Sequence, residues 1–279
     1  MTRDPFVGTV PVAADAVRVW RGFRADASPA GWPLFASFLS QTLFPTEATW
    51  RPAFGLTCYL AGIKAPDGDA AAPDEFALVF YESQQVYDAG LKTVAGSLYP
   101  LFPAAAFRAS GGRSGYPQRF HRRLALNQAC HVFDQPVDWY HGSVRCQVAT
   151  LRPGQPVAAL LAATERLLAA LQAAPPAGLD GLIAMVDETA EGRACLLAWQ
   201  HWQGDAPAVD SLFDALQPLV TVSFRQAQAQ TMTVTGGFYD PGVQVQPPIV
   251  GDQLLRLSFL RRRLAAENHR VVGGPWSAA

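Results

Sequence analysis

The sequence predicts an α+β protein in which a β-α-β-β-α-β order occurs twice, and three observations lead there. The first is self-similarity: shifting Glu75 to Phe102 by 118 positions places Pro100-Leu101 on Pro218-Leu219, Leu98 on Leu216, Leu78 on Leu196 and Tyr81 on Trp199. A shared spacing of apolar and aromatic positions over such a stretch points to internal duplication. The second is that strand-like and helix-like periods follow one another in the same order in both halves. The third is composition, since 279 residues with 49% hydrophobic and 16% charged side chains can bury a large core.

Taken in order, Phe6 to Val12 is rich in β-formers and predicts a first strand. Over Ala13 to Arg24, Val17, Trp20 and Phe23 fall at helical spacing, which predicts a helix. Trp32 to Phe44 predicts a second helix with Pro33 in its first turn and Pro45 as its stop. Phe54 to Lys64 reads as a strand, Ala65 to Asp74 as a mobile loop, Phe76 to Tyr81 as a strand and Val86 to Leu98 as a helix. The glycine- and arginine-rich stretch from Ala109 to Arg123 reads as an exposed loop, with Arg113 and Arg119 as candidates to meet a carboxylate. Leu124 to Phe133 closes the first half as its fourth strand.

The second half repeats the order. Val144 to Leu151 is its first strand, and Pro156 to Ala173, alanine and leucine throughout, is the clearest helix in the chain. Leu182 to Val186 and Cys195 to Trp199 are strands, Ser211 to Leu219 a helix, and Gln230 to Thr235 the last strand. Leu254, Leu257, Leu260 and Leu264 then fall at helical spacing and predict a terminal helix over Gln253 to Ala266, opposite Arg261 to Arg263. The predicted division is 1–136 for the first repeat with its extra helix and arginine loop, 137–238 for the second, and 239–279 for an extended segment and the terminal helix, which either docks on the body or holds a protein partner.

A net charge of −1 offers no field for nucleic acid or an anionic membrane. The four cysteines, Cys58, Cys130, Cys146 and Cys195, form no CxxC pair and sit in apolar sequence, so they read as buried hydrophobes in a reducing compartment. Without an apolar run long enough for a signal peptide or a membrane span, the expected location is cytoplasmic. There is no glycine-rich phosphate loop, HExxH, GxSxG elbow or metal-ligand cluster, which disfavours hydrolase and nucleotide chemistry.

A β-α-β-β-α-β unit makes a four-stranded antiparallel sheet with both helices on one face, the ferredoxin-like arrangement. Two such units bury their open faces on each other as an intramolecular α+β barrel. On Arg145 to Thr150 followed by the Ala/Leu helix, and on LLAWQHW followed by SLFDALQPL, the chain resembles the dimeric α+β barrel superfamily, in particular its antibiotic-biosynthesis-monooxygenase-like members, as a fused tandem version. That resemblance implies a secondary-metabolism enzyme acting without a metal on an aromatic or polycyclic compound, a monooxygenase or a cyclase. It also implies an alternative, since other branches carry haem, for which His131, His201 or a loop histidine would be the axial ligand. A non-catalytic ligand-binding or assembly protein is the third reading.

Alternation along Cys195 to Trp202 puts Trp199 and His201 on one face, expected to be the barrel interior. The repeat then turns Tyr81 and Ser83 inward, and neighbouring strands supply Tyr59 with Thr57, Asn127 with His131, and Arg145 with Gln147. His201 is the candidate general base, because imidazole changes charge near neutrality. Its competing reading is a strand-end histidine satisfied by backbone or solvent. Arg145 and Asn127 are candidates to orient a carbonyl or oxyanion. Trp199, Tyr81, Tyr59, His131 and Gln147 are the candidate walls of a hydrophobic cavity that takes an aromatic molecule, with core aromatics as the alternative.

Overall fold

Two six-stranded sheets face each other, and helices cover parts of their outer faces. In this computed structural model the described residues are 16–44, 46–47, 55–108, 113–139, 142–189, 191–207, 212–227, 230–234 and 251–259. The first part of the chain forms β1 (Val17–Gly22), α1 (Trp32–Phe38) continued by a π turn (Leu39–Leu43), β2 (Leu56–Ile63) and β3 (Glu75–Tyr81). Three short helices follow, α2 (Gln84–Leu91), α3 (Val94–Leu98) and α4 (Leu101–Ala106), then the short strands β4 (Arg113–Gly115), β5 (Gln118–Arg119) and β6 (Cys130–His131). The remainder is β7 (Ser143–Leu151), α5 (Val157–Ala173), β8 (Leu179–Glu188), β9 (Ala194–Trp202), β10 (Val220–Ala227), β11 (Gln230–Val234) and β12 (Gln253–Phe259).

One sheet has the order β11-β12-β2-β3-β1-β4 and the other β10-β7-β9-β8-β6-β5. Within them, β4-β1-β3-β2 and β10-β7-β9-β8 are each antiparallel between neighbours. Strand alternation sorts the side chains into three apolar layers. Between the sheets lie Val17, Val19, Leu60, Phe76, Leu78 and Phe80 from one, and Val144, Val148, Ile183, Leu197, Trp199 and Phe224 from the other. The outer face of the first sheet buries Tyr59, Ala61, Ala77, Val79 and Tyr81 under α1 and its π turn. On the outer face of the second, α5 lays down Leu160, Leu168 and Leu171, positions that share a helix face at 3.6 residues per turn. No helix among the described residues is long and apolar enough to cross a membrane.

Several sequence expectations are corrected. The predicted strand at 6–12 lies outside the described residues, and the predicted helix over Ala13 to Arg24 is strand β1 where it is described. VRVWRG alternates with period two: Val17, Val19 and Arg21 face the other sheet, Arg18 and Trp20 face outward. In place of the helix expected over Ser211 to Leu219, the described residues 212–219 hold a 3₁₀ turn at Asp214–Leu216, and Val220–Ala227, unassigned from sequence, is the strand that pairs with β7. The strand expected near 230–235 is present as β11, yet it runs parallel to β12 in the other sheet. The expected terminal helix is strand over Gln253–Phe259, antiparallel to β2. A strand covered on both faces buries consecutive residues, here Leu254 between the sheets and Leu255 in the outer layer, so its leucine spacing mimics a helix.

The loop from Ala65 to Asp74, expected to be mobile, is pinned. Lys64 Nζ donates to the carbonyls of Asp69 and Ala72 at 2.9 and 2.7 Å. Asp74 bridges Arg24 at 3.2 Å and Lys64 at 3.4 Å. Thr150 of the second sheet donates to Asp69 Oδ2 at 2.6 Å. The expected strand at Leu124 to Phe133 shrinks to β6, because Asn127 adopts a left-handed φ of 64°. The stretch from Ala109 to Arg123, expected to be a loop, contains strands β4 and β5, although Arg119, Arg122 and Arg123 are exposed.

Phe76 is fully buried, edge-on to Phe224 at 4.8 Å and 6.4 Å from Trp199. Its ring joins the two sheets, so Phe76→Ala is expected to lower the unfolding free energy by about 3–5 kcal/mol in urea titrations. The exposed Leu34→Ala should change it by less than about 0.5 kcal/mol.

Candidate active site between the first sheet and its helices

The first residue of β3 is a glutamate with no exposed surface. Its neighbours in register are Gly22 of β1 and Ile63 of β2, and the next outward positions, Ala61 and Ala77, carry only methyl groups. That shortage of side-chain volume lets two large residues reach back along the sheet. Tyr59 donates its hydroxyl to Glu75 Oε1 at 2.8 Å, and the Trp20 indole N–H donates to Oε2 at 2.9 Å. Gly22 must be glycine for this packing: a Cβ there would lie 2.5 Å from the Phe107 ring and 2.9 Å from the Trp20 ring.

Burial pushes the Glu75 carboxyl up from the usual 4.5 to about 7, and the negative charge of Glu47 adds to the rise, while the bonds from Trp20 and Tyr59 oppose it. Glu47, itself 2% exposed, and Leu43 at the end of the π turn line a cavity of about 160 Å³. Trp20, Tyr59 and Val79 form its sheet wall, and Tyr87, Leu91 and Tyr99 close it from the helices. Arg18 completes the lining, its guanidinium stacked 3.9 Å from the centre of the Tyr87 ring and 4.5 Å from that of Tyr116. The cavity thus combines aromatic walls with a cation at one side, and two of its wall residues, Trp20 and Tyr59, hold behind them a carboxyl that titrates near neutrality.

The residues singled out from sequence are dispersed by the fold. Trp199 and His201 do share the face between the sheets, but the ring layer of Phe76, Phe224 and Trp199 fills the space around Trp199. His201 is buried at the end of that layer, its Nδ1 2.5 Å from Asp180 Oδ1 and its ring 5.4 Å from that of Trp139. His131 pairs with Ile183 and so faces between the sheets as well. Tyr81 points outward instead, 4.7 Å from Tyr87, because the inward positions of β3 are Phe76, Leu78 and Phe80. The superposition of Tyr81 on Trp199 is therefore one residue out of phase, which exchanges the two faces of a strand. Ser83 is the N-cap of α2, accepting from Val86 N–H.

Arg145 and Gln147 also point outward, since Val144, Cys146 and Val148 occupy the inner face of β7. Arg145 donates to the Pro207 carbonyl. Asn127 is a clasp, its side-chain oxygen accepting from Glu188 N–H at 2.7 Å. Tyr59 lines the Glu75 cavity, although from the outer face and not the barrel interior. Glu75, Trp20, Glu47 and Arg18 were missed. A charged residue opening an apolar strand reads as its boundary, and the helical spacing of Val17, Trp20 and Phe23 puts Trp20 and Arg18 on a predicted helix. No cysteine is among the described residues that line the cavity, and burial pushes the Cys130 thiol up to about 12 and holds Cys146 and Cys195 well above the usual range. Among the described residues no histidine, His131 and His201 included, lines the cavity, so these residues do not provide the axial imidazole that haem would need there.

No protein-family model matches the chain, and no curated protein matches it. Solved structures overlay on it weakly. A candidate monooxygenase from Lactobacillus acidophilus NCFM shares 10% identity at a TM-score of 0.29, over 76% of this chain and 90% of its own. An anthrone oxidase-like protein shares 13% at 0.34, over 78% and 92%. A Rhodococcus jostii RHA1 DypB variant in complex with heme shares 11% at 0.35, over 79% and 94%. Overlaps of this size decide neither fold nor chemistry, which rest on the chain's own geometry.

The raised pKa has a signed consequence for stability. The folded protein holds the Glu75 proton up to about 7, whereas the unfolded chain releases it near 4.5. Between those values the folded state binds more protons, so the contribution of Glu75 to stability falls as pH rises and levels off above about 7. Glu75→Gln should remove that slope. Urea titrations at several pH values across this interval should show the variant gaining on the wild type as pH rises, and a constant difference would refute the buried, near-neutral carboxyl.

Proposed function

We propose that the protein is a small-molecule enzyme that binds an aromatic ring in the cavity above Glu75 and uses that carboxylate as a general base. The observation that carries this reading is a fully buried carboxylate, poised near pH 7 and held by Tyr59 and Trp20, two residues that form the wall of an aromatic cavity. A base poised near the working pH is half deprotonated yet still basic enough to take a proton. Glu75 would take a proton from a phenol or an activated C–H through the Tyr59 hydroxyl, which lines the cavity and donates to Oε1, leaving the electron pair on the substrate as a phenolate or enolate. Arg18, in the same lining, would face the negative charge that develops. An apolar cavity of about 150 Å³ is enough to hold benzene, so the 160 Å³ here suits one aromatic ring of the substrate.

An enolate of this kind goes on either to attack an electrophilic carbon in the same molecule, as in a cyclase, or to react with dioxygen, as in a cofactor-independent monooxygenase. The same reading extends to the fold: the matching antiparallel orders β4-β1-β3-β2 and β10-β7-β9-β8 support two ferredoxin-like repeats joined as an intramolecular barrel.

The test is a panel of resorcinol, 1-naphthol and anthrone, with binding followed by tryptophan fluorescence and turnover by product formation and oxygen uptake. The expected outcome is a kcat/KM that rises through about pH 7 and a loss of about 100-fold or more in kcat for Glu75→Gln with binding retained. Undiminished turnover in Glu75→Gln, or no binding of any ring compound, would sink the proposal.

A further inference from the structure

A second cavity, of about 250 Å³, lies between the sheets on the opposite side of β1 from Glu75. Val19 and Arg21 of β1, Gly115 of β4, Met185 of β8 and the segment Asn127 to Ala129 line it. Arg21 is only 3% exposed and donates through Nη2 to Asp187, itself 2% exposed, so a buried ion pair crosses from one sheet to the other beside the cavity. The pair does not use every donor of the guanidinium, and among the described residues the buried Nε–H of Arg21 has no acceptor. Buried donors are nearly always satisfied, and a lasting exception calls for a partner.

The other polar side chains of the lining bind their own surroundings. Asn127 accepts from Glu188 N–H at 2.7 Å, and the Gln128 amide donates to the carbonyls of Tyr116 at 2.9 Å and Ala129 at 3.3 Å. The rest of the wall is apolar, from Val19, Ala129 and Met185. At Gly115 an added Cβ would meet nothing within 4 Å, so a side chain there would project into open space.

We propose that this cavity is a binding site for a small neutral molecule with an apolar body and one carbonyl oxygen, which accepts from Arg21 Nε–H. The neutral class follows from charge. Asp187 already balances the guanidinium, so a carboxylate would bring an uncompensated negative charge into a buried space, whereas a ketone or amide supplies the missing acceptor without one. The site is independent of the Glu75 cavity and of the reaction assigned to it.

Cyclohexanone is the probe, titrated by ligand-observed NMR beside methylenecyclohexane, which has the same shape without the acceptor, and cyclohexanecarboxylate. Wild type should bind the ketone at least 10-fold more tightly than the alkene and no less tightly than the carboxylate. Gly115→Val and Ala129→Leu, two fillers from different elements whose folding is checked by circular dichroism, should each abolish ketone binding. Glu75→Gln should leave it unchanged. Equal affinity for ketone and alkene, absence of ketone binding, or binding that survives a folded filler variant overturns the site. Tighter binding of the carboxylate overturns the neutral class.

Discussion

A sheet with helices on one face leaves its other face apolar, and in this chain each of the two sheets covers the other. Everything else is arranged around that contact. Phe76 stands at its centre between Trp199 and Phe224, and the strand beside it is kept clear: a Cβ at Gly62 would come within 2.1 Å of the Phe76 ring. The ring layer explains why the interior is a packed core around Trp199, and why the cavity above Glu75 lies on the far side of the first sheet.

Polar ties hold the two halves in register at one end of that core. Arg21 and Asp187 pair across the gap and Thr150 reaches Asp69, while within the first half Asp74 gathers Arg24 and Lys64. Buried pairs of this kind add little net stability against an apolar replacement, yet removing one partner strands a charge. Their effect is to specify one arrangement of loop and sheets. Strand β1 is common to both ends of this logic, since its inward residues Val19 and Arg21 line one cavity and its outward residues Arg18 and Trp20 line the other.

The chemistry of the outer cavity comes from economy of volume. Alanines at 61 and 77 and glycine at 22 leave space on the sheet that Trp20 and Tyr59 use to reach the carboxylate. A carboxyl so enclosed loses its hydration, and two neutral donors offset that loss only in part, which is why it titrates near neutrality. The π turn at Leu39–Leu43, which ends at the cavity wall, places Leu43 and then Glu47 against it.

What the sequence determined by itself was local: the α+β class, the strands at 56–63, 75–81, 143–151, 179–188 and 194–202, the helix α5, and the inward face of β9 with Trp199 and His201. Those elements declare themselves because one period dominates each of them. Tertiary structure decided the rest. Strand β12 is buried on both faces and so loses the alternation that would mark it, and β1 was hidden because a six-residue alternation also fits helical spacing. Which face Tyr59, Tyr81, Arg145 and Gln147 present turns on a phase of one residue, and only pairing with neighbouring strands sets that phase. The meeting of Glu75 with Trp20, Tyr59 and Glu47 joins residues far apart in the chain, so no local pattern announces it.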